Sequence, residues 1–189
     1  DTARRAVQAI IEDEFRFGDG GKAEEPSVVS RFKPWRTLKL GTGLKTADDF
    51  REAIKKAGGK IGGWANDILG RSAFTAATEE TEVDLYLPTT AELTGKPEGG
   101  TTAEVFAGAA RIGFKKCSPE VGPQLRIQNP DQPINEALFI GMEPITGSGG
   151  GLLVFDVGRG VYARWLDGCY GGPGGFWYGD CRWVFALSK

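Results

Sequence analysis

The chain has 189 residues, a formal net charge of −2 and no histidine. Its 40% apolar and 25% charged residues are typical of a soluble globular protein, and its slight acidity argues against a dedicated nucleic-acid binder, which normally carries a basic excess. The absence of histidine excludes the Ser–His–Asp and Cys–His nucleophiles and the commonest zinc ligand, so we predict no metal site. No apolar run approaches the roughly 20 residues of a bilayer-spanning helix, so we predict no membrane span, while the cellular compartment stays open.

Residues 1–27 are predicted to form an N-terminal helix followed by a linker. Apolar residues repeat at helical spacing between Thr2 and Phe15, and "FGDGGKAEEPS" then breaks the pattern with glycine, charge and proline. We expect residues 28–189 to form a single α+β domain.

The next part of the chain alternates strands and helices. "SRFKPWRTLKLGTGLK" predicts a strand with Leu38 and Leu40 inward, although its aromatic and basic residues also suit a phosphate contact. "TADDFREAIKKAGG" predicts a capped helix, and a second short helix follows with Trp64, Ile68 and Leu69 on one face. "TEVDLYLP" alternates as a half-buried strand, and "TTAEVFAGAARIG" predicts a third helix.

From Ser118 onward the pattern favours strands. Five apolar stretches divided by turns predict successive strands: "QLRIQ", "ALFIGMEPI", "LLVFDV", "VYARWLDGCY" and "CRWVFAL". The fold class predicted is therefore α+β, with helices in the N-terminal 115 residues packed on a C-terminal antiparallel β-meander or small barrel. "GSGGG" is interpreted as a hairpin turn, because a phosphate-binding loop needs its glycines to open a helix, and we predict no cofactor.

The three cysteines leave two alternatives open. Cys117 follows two lysines, but with no histidine to activate it we expect a buried, inert thiol. Cys169 and Cys181 bracket a predicted hairpin, where they either form a disulfide, which requires an oxidising compartment, or stay free.

The stretch "WLDGCYGGPGGFWYGDCRW", residues 165–183, carries the strongest functional signal. Strand side chains alternate, so the three consecutive aromatics at 176–178 cannot all point inward. We predict an exposed ligand-binding patch, whereas the alternative is a loop that folds over the sheet edge and buries its own rings. The predicted ligand-binding residues are Tyr170, Phe176, Trp177, Tyr178 and Arg182, with Asp167 and Asp180 helping to orient the ligand.

We therefore predict a non-catalytic binding module whose aromatic, glycine-rich C-terminal loop contacts a glycan or a partner protein. The alternative function is a carboxylate-dependent hydrolase of glycosidase type, which needs no histidine and would use Asp167 and Asp180 as its catalytic pair. Glu82 and Asp84, on the polar face of one strand, are the next pair. A third reading makes the exposed rings an oligomer contact.

Several segments together resemble a known group of sequences. "KLGTGLKTADDFREA", "KIGGWANDILG", "PEVGPQLRIQ", "FIGMEPI" and "RWVF" resemble a group of small uncharacterised bacterial proteins from environmental and candidate-phyla genomes. The resemblance covers most of Thr37–Lys189 and leaves out the predicted opening helix. It implies a bacterial origin and brings with it no activity, cofactor or catalytic residue.

Overall fold

The computed structural model describes residues 31–187, so the predicted N-terminal helix and linker lie outside the described residues. The helices are α1 (Ala47–Lys56), α2 (Gly63–Leu69), α3 (Thr90–Thr94), α4 (Thr102–Ile112) and α5 (Val121–Gln128). The first strands are β1 (Arg36–Leu40), β2 (Gly59–Ile61), β3 (Thr81–Tyr86), β4 (Gly99–Thr101) and β5 (Phe114–Lys115). They are followed by β6 (Glu136–Ile140), β7 (Ile145–Thr146), β8 (Leu152–Arg159), β9 (Arg164–Tyr170), β10 (Phe176–Tyr178) and β11 (Arg182–Leu187).

One mixed sheet joins the two halves of the chain. Its strand order is β1, β3, β11, β6, β8, β9 and β2, with β5 added beside β11 and β7 beside β8. Two of the pairings, β11 with β6 and β2 with β9, are parallel, and the other neighbours run antiparallel. Strands β4 and β10 form a separate two-stranded sheet.

The main sheet is apolar on both faces. Along β11, Val184 and Ala186 belong to one buried cluster, whereas Trp183 and Phe185 belong to another. This alternation is what a strand covered on both sides requires. Helices α1, α2 and α5 pack on the first face, and α3, α4 and the β4–β10 pair pack on the second.

The predicted fold class is wrong. Helices are interspersed with strands along the chain, and the large curled sheet takes strands from the whole described chain instead of forming a C-terminal meander. The "QLRIQ" strand is also wrong, because these residues lie in α5, with Val121 and Leu125 buried one helical turn apart. Trp64, predicted inward, is exposed on α2.

Other local predictions are confirmed. Helix α1 begins with a complete capping box between Thr46 and Asp49, and α4 begins in the same way at Thr101. Leu38 and Leu40 are buried on β1, and "GSGGG" forms the turn between β7 and β8. None of the helices described within residues 31–187 is both long and apolar enough to cross a membrane.

A buried carboxylate links three separate segments beside the first face. Glu120 is fully buried at the start of α5, and its Oε1 accepts from the Gly41 amide at 2.9 Å and from Gln124 Nε2 at 2.9 Å. Its Oε2 accepts from the Ala77 amide at 2.7 Å. These bonds satisfy two loop amides, so Glu120 is a structural residue.

We expect Glu120→Gln to lower the free energy of unfolding by about 1–3 kcal/mol, because one loop amide would then face an NH₂ group. Urea denaturation of the variant and of the exposed control Glu79→Gln measures the difference. A control that loses as much stability as Glu120→Gln would contradict this role.

Candidate functional site

Part of the second face is not covered by any helix within residues 31–187. The apolar cluster on this face covers β3, β11 and β6 and reaches β9 at Cys169, whereas the rest of β9, with β8 and β2, lies beyond it. The uncovered strip forms a concavity of about 470 Å³, which we call the open groove. Its lining residues are Asn135, Glu136, Ala137, Asp156, Gly158, Arg159, Gly160, Trp165 and Asp167.

Two carboxylates lie side by side on the floor of the open groove. Asp156 on β8 is the direct cross-strand partner of Asp167 on β9. Asp156 stands between Phe155 and Val157, both buried on the first face, so its side chain points to the second face. Paired positions on neighbouring antiparallel strands have Cβ atoms about 5 Å apart, which brings the two carboxylates close together.

The surroundings favour the protonated form of Asp156. Burial, and then the nearby charge of Asp167, raise the pKa of Asp156 to about 6, and a hydrogen bond with the Cys169 thiol opposes that shift. Asp167 accepts a hydrogen bond from the Gly168 amide at 2.8 Å. The pair therefore combines an acid that titrates near neutral pH with a second carboxylate beside it.

An aromatic ring lies beside the carboxylates. Trp165 precedes Asp167 by two residues on β9, so both side chains are on the same face, and 36% of Trp165 is exposed. Lys60 is the partner of Trp165 on β2, and its Nζ lies 5.5 Å from the ring centroid. This cation–π contact holds the indole at the edge of the groove.

Glycine at position 62 makes room for Asp167. A Cβ placed on Gly62 would lie 2.0 Å from Asp167 Oδ1, which is closer than any real contact. Any side chain at position 62 would therefore displace the Asp167 carboxylate from its observed position.

A second concavity of about 510 Å³ continues the open groove along β6. It is lined by Asp180, Cys181 and Arg182, and shares Asn135, Glu136 and Ala137 with the open groove. Arg182 Nη1 donates to Glu136 Oε1 at 2.8 Å. At the shared part, Asn135 has φ 66°, a conformation that few residues other than glycine adopt and that asparagine tolerates.

The glycine-rich loop exposes three aromatic rings, which we call the aromatic ridge: Tyr170, Phe176 and Tyr178, at 52%, 57% and 71% exposure. Phe176 and Tyr178 lie two residues apart on β10 and contact each other edge to face, with centroids 5.9 Å apart. The Tyr170 ring lies against Gly172, where a Cβ would fall 2.1 Å from its hydroxyl oxygen. The loop therefore leaves these rings at the surface.

Trp177 points the opposite way. Only 8% of this residue is exposed, and its ring packs 4.7 Å from those of Phe139 and Trp183. Its Nε1 donates to Thr102 Oγ1 at 2.8 Å, which ties β10 to the start of α4. The ligand contact predicted for Trp177 needs an accessible ring, whereas this ring is buried.

The cysteines are all free thiols. Burial raises the pKa of Cys117 to about 12 and also raises the pKa of Cys169 and of Cys181. Thiols in such surroundings stay protonated and are poor nucleophiles. Among residues 31–187, no group of three or more His, Cys, Asp and Glu side chains is arranged to hold a metal ion.

The predicted site residues thus fall in five separate places, of which the core position of Trp177 is one. Tyr170, Phe176 and Tyr178 form the aromatic ridge, Asp167 lies in the open groove, and Asp180 and Arg182 line its continuation. Glu82 and Asp84 are exposed on β3, where Asp84 accepts from Thr37 Oγ1 at 2.6 Å.

Asp156 and Trp165 are not among the site residues predicted from the sequence. A charged residue inside the apolar run "LLVFDVG" was the available signal for Asp156, since a strand buried on both faces has no place for an unpaired carboxylate.

We expect Trp177→Ala to cost about 3–5 kcal/mol of unfolding free energy, because it empties a large buried volume and removes a hydrogen bond. Tyr178→Ala, one residue further along β10, should stay within about 0.5 kcal/mol of the parent protein. Urea denaturation of both variants checks this, and equal losses would show that Trp177 is not a core residue.

The raised pKa of Asp156 makes a pH-dependent prediction. Between pH 4 and 6 the folded protein keeps a proton that the unfolded chain releases, so Asp156 lowers stability progressively as the pH rises through this window. Asp156→Asn should therefore raise the unfolding free energy by about 1–3 kcal/mol at pH 8 and by much less at pH 4. Thermal unfolding at both pH values, with the exposed Asp180→Asn as control, measures this, and an equal gain at both would contradict it.

Comparisons of this chain with protein-family models, with curated proteins and with solved structures each found no match.

Proposed function

We propose that the protein is a binding module that holds a glycan in the open groove. The observation that carries this proposal is the exposed Trp165 indole beside the paired carboxylates Asp156 and Asp167, on a strip of sheet that none of the described helices covers. A binding site of this kind combines a concave surface with a few convergent polar groups.

Each part of the groove suits a feature of a sugar ring. The indole offers a flat apolar surface on which the C–H face of a sugar stacks, while carboxylate oxygens accept hydrogen bonds from its hydroxyl groups. When protonated, Asp156 also donates a hydrogen bond to the sugar. The continuation past Asp180 and Arg182 provides further donors and acceptors for a chain of more than one sugar.

The charge of the groove argues against nucleic acid as the ligand. Three acids, Glu136, Asp156 and Asp167, line the groove against one base, Arg159. The strand register places the Arg159 side chain on the opposite face of the sheet, and the nearby Arg182 is paired with Glu136. Phosphate groups would be repelled by these carboxylates, whereas a neutral glycan would not.

The aromatic ridge supports a second contact, with a partner protein. Phe176 and Tyr178 are nearly perpendicular, with an angle of 86° between their planes, so they form no flat platform for a sugar. Exposed aromatic rings on a hydrogen-bonded backbone are typical anchors in protein interfaces. Capture of a partner that Phe176→Ala/Tyr178→Ala loses and Trp165→Ala keeps would assign this surface.

Glycoside hydrolysis is a second candidate function, favoured by the raised pKa of Asp156. A protonated Asp156 would donate its proton to the leaving oxygen while the Asp167 carboxylate attacks the anomeric carbon, so that the glycosidic C–O bond breaks as a glycosyl ester forms on Asp167. Water, deprotonated by Asp156, would then hydrolyse this ester and release the sugar. The close pairing of the two strands suits the short separation of the retaining mechanism. This pair differs from the predicted pair, because Asp180 lines the neighbouring concavity.

We expect a glycan array to show binding by the parent protein that Trp165→Ala weakens at least tenfold, equivalent to about 1.4 kcal/mol. Trp64→Ala is the matched control, since Trp64 is an exposed tryptophan on α2 outside the groove. Gly62→Ala should weaken binding too, because its methyl group displaces Asp167.

The same samples separate binding from hydrolysis. A hydrolase would release reducing ends from the bound glycan, and Asp156→Asn would abolish that release. Equal array signals from Trp165→Ala, Trp64→Ala and the parent protein would rule out the groove as the glycan site.

A further inference from the structure

Three arginines lie close together near the turn between β8 and β9. Arg159 ends β8 and Arg164 begins β9, and the two are direct cross-strand partners, so both side chains lie on the first face. Arg126 of α5 lies behind them with only 1% of its surface exposed. Burial, and then the charges of Arg164 and Arg159, lower the pKa of Arg126 to about 10.

No carboxylate pairs with any of these guanidinium groups within the described residues. The nearest acid in the strand register is Glu136, opposite Arg159 on β6, but Glu136 pairs with Arg182. Arg159 and Arg164 are themselves directly opposed, and like charges at such positions of a sheet repel each other, so an anion bound between the two would relieve this repulsion.

Backbone carbonyls accept some of the hydrogen bonds that these arginines donate. Arg164 Nη2 donates to the Ala57 carbonyl at the end of α1, and Arg159 Nη1 donates to the Gln132 carbonyl at 2.7 Å. A guanidinium has five N–H donors, so most of those on Arg159 and Arg164 have no acceptor within the described protein. Arg126 donates from Nη1 to Gln132 Oε1 and the Gly158 carbonyl and from Nη2 to the Asn129 carbonyl, whereas its Nε has no partner within residues 31–187.

The two outer arginines face a small concavity. Its volume is about 170 Å³, and its lining consists of Gly58, Arg159, Gly160, Val161, Tyr162, Ala163 and Arg164. Apart from the arginines it contains no charged side chain, and it is large enough for a tetrahedral anion or a carboxylate. Paired guanidinium groups are the usual ligands of such oxyanions, because their N–H donors match the oxygen geometry.

We propose that this concavity is a binding site for one oxyanion group, a phosphate, sulfate or carboxylate, held between Arg159 and Arg164. The buried Arg126 adds its positive charge from behind. Arg159 and Gly160 line both this concavity and the open groove, but the strand register places the Arg159 and Arg164 side chains on the face of the sheet opposite Trp165.

Calorimetric titration with inorganic phosphate, at ionic strength kept constant with sodium chloride, tests the proposal. We expect binding with a dissociation constant in the millimolar range or below. Arg159→Gln and Arg164→Gln should each weaken it at least tenfold. Arg111→Gln is the matched control, since Arg111 Nη2 likewise donates to a helix carbonyl, that of Leu93 at 3.0 Å, and lies outside the cluster.

Lysine variants keep the proposal testable if a glutamine variant does not fold. If a glutamine variant fails to fold, Arg159→Lys and Arg164→Lys keep the charge but lose the planar donors, and these should weaken phosphate binding while keeping the thermal midpoint close to that of the parent protein. Heats of phosphate binding no larger than those for added chloride would overturn the proposal. So would equal phosphate binding by Arg111→Gln and by the Arg159 and Arg164 variants.

Competition distinguishes the source of the anion. Glucose 6-phosphate displaces inorganic phosphate if the site accepts a group carried by a larger molecule, whereas glucose does not. Displacement by glucose 6-phosphate supports a phosphate group carried by a larger ligand. Binding of inorganic phosphate that glucose 6-phosphate does not displace supports a free ion. Because Trp165→Ala leaves this site unaltered, failure here and failure of the glycan proposal are separable.

Discussion

The pairing of β11 with both β3 and β6 is the constraint on which the structure depends. This C-terminal strand joins β1 and β3 to the strands β6, β8, β9 and β2, and its alternate residues supply both apolar clusters. A sheet that is apolar on two faces needs cover on both. Helices α1, α2 and α5 cover the first face, and the smaller group of α3, α4 and the β4–β10 pair covers part of the second.

Incomplete cover of the second face explains the position of the open groove. Beyond the edge of the apolar cluster, Asp156 of β8 and Asp167 of β9 line the open groove. Gly62 leaves room for the Asp167 carboxylate. Asp156 is close enough to the core for burial to raise its pKa, which costs stability at neutral pH. Perturbed carboxylates of this kind are concentrated at functional sites, where such a cost is tolerated.

Local sequence patterns predicted most of the helices and strands, whereas they could not predict which strands pair with each other. The capping residues Thr46 and Thr101 mark the starts of α1 and α4, because a cap depends on a few neighbouring residues. "QLRIQ" was misread as a strand, since its polar residues are buried by tertiary hydrogen bonds such as that from Gln124 to Thr42. The parallel pairings of β2 and β6, which set the fold class, join segments with no shared local signal. Likewise, alternation predicts that 176–178 cannot all be buried, but only the pairing of β8 with β9 brings Asp156 beside Asp167.

The most direct test of a glycan site in the open groove is an NMR titration that follows backbone amide shifts. Suitable probes are the hexasaccharides of cellulose, chitin, xylan and starch, added singly to the ¹⁵N-labelled protein. The account predicts that at least one of them shifts the amides of Asp156, Trp165 and Asp167 in a saturable way and leaves those of Phe176 and Tyr178 in place. Saturable shifts confined to the aromatic ridge, or no shift with any of the four, would contradict it.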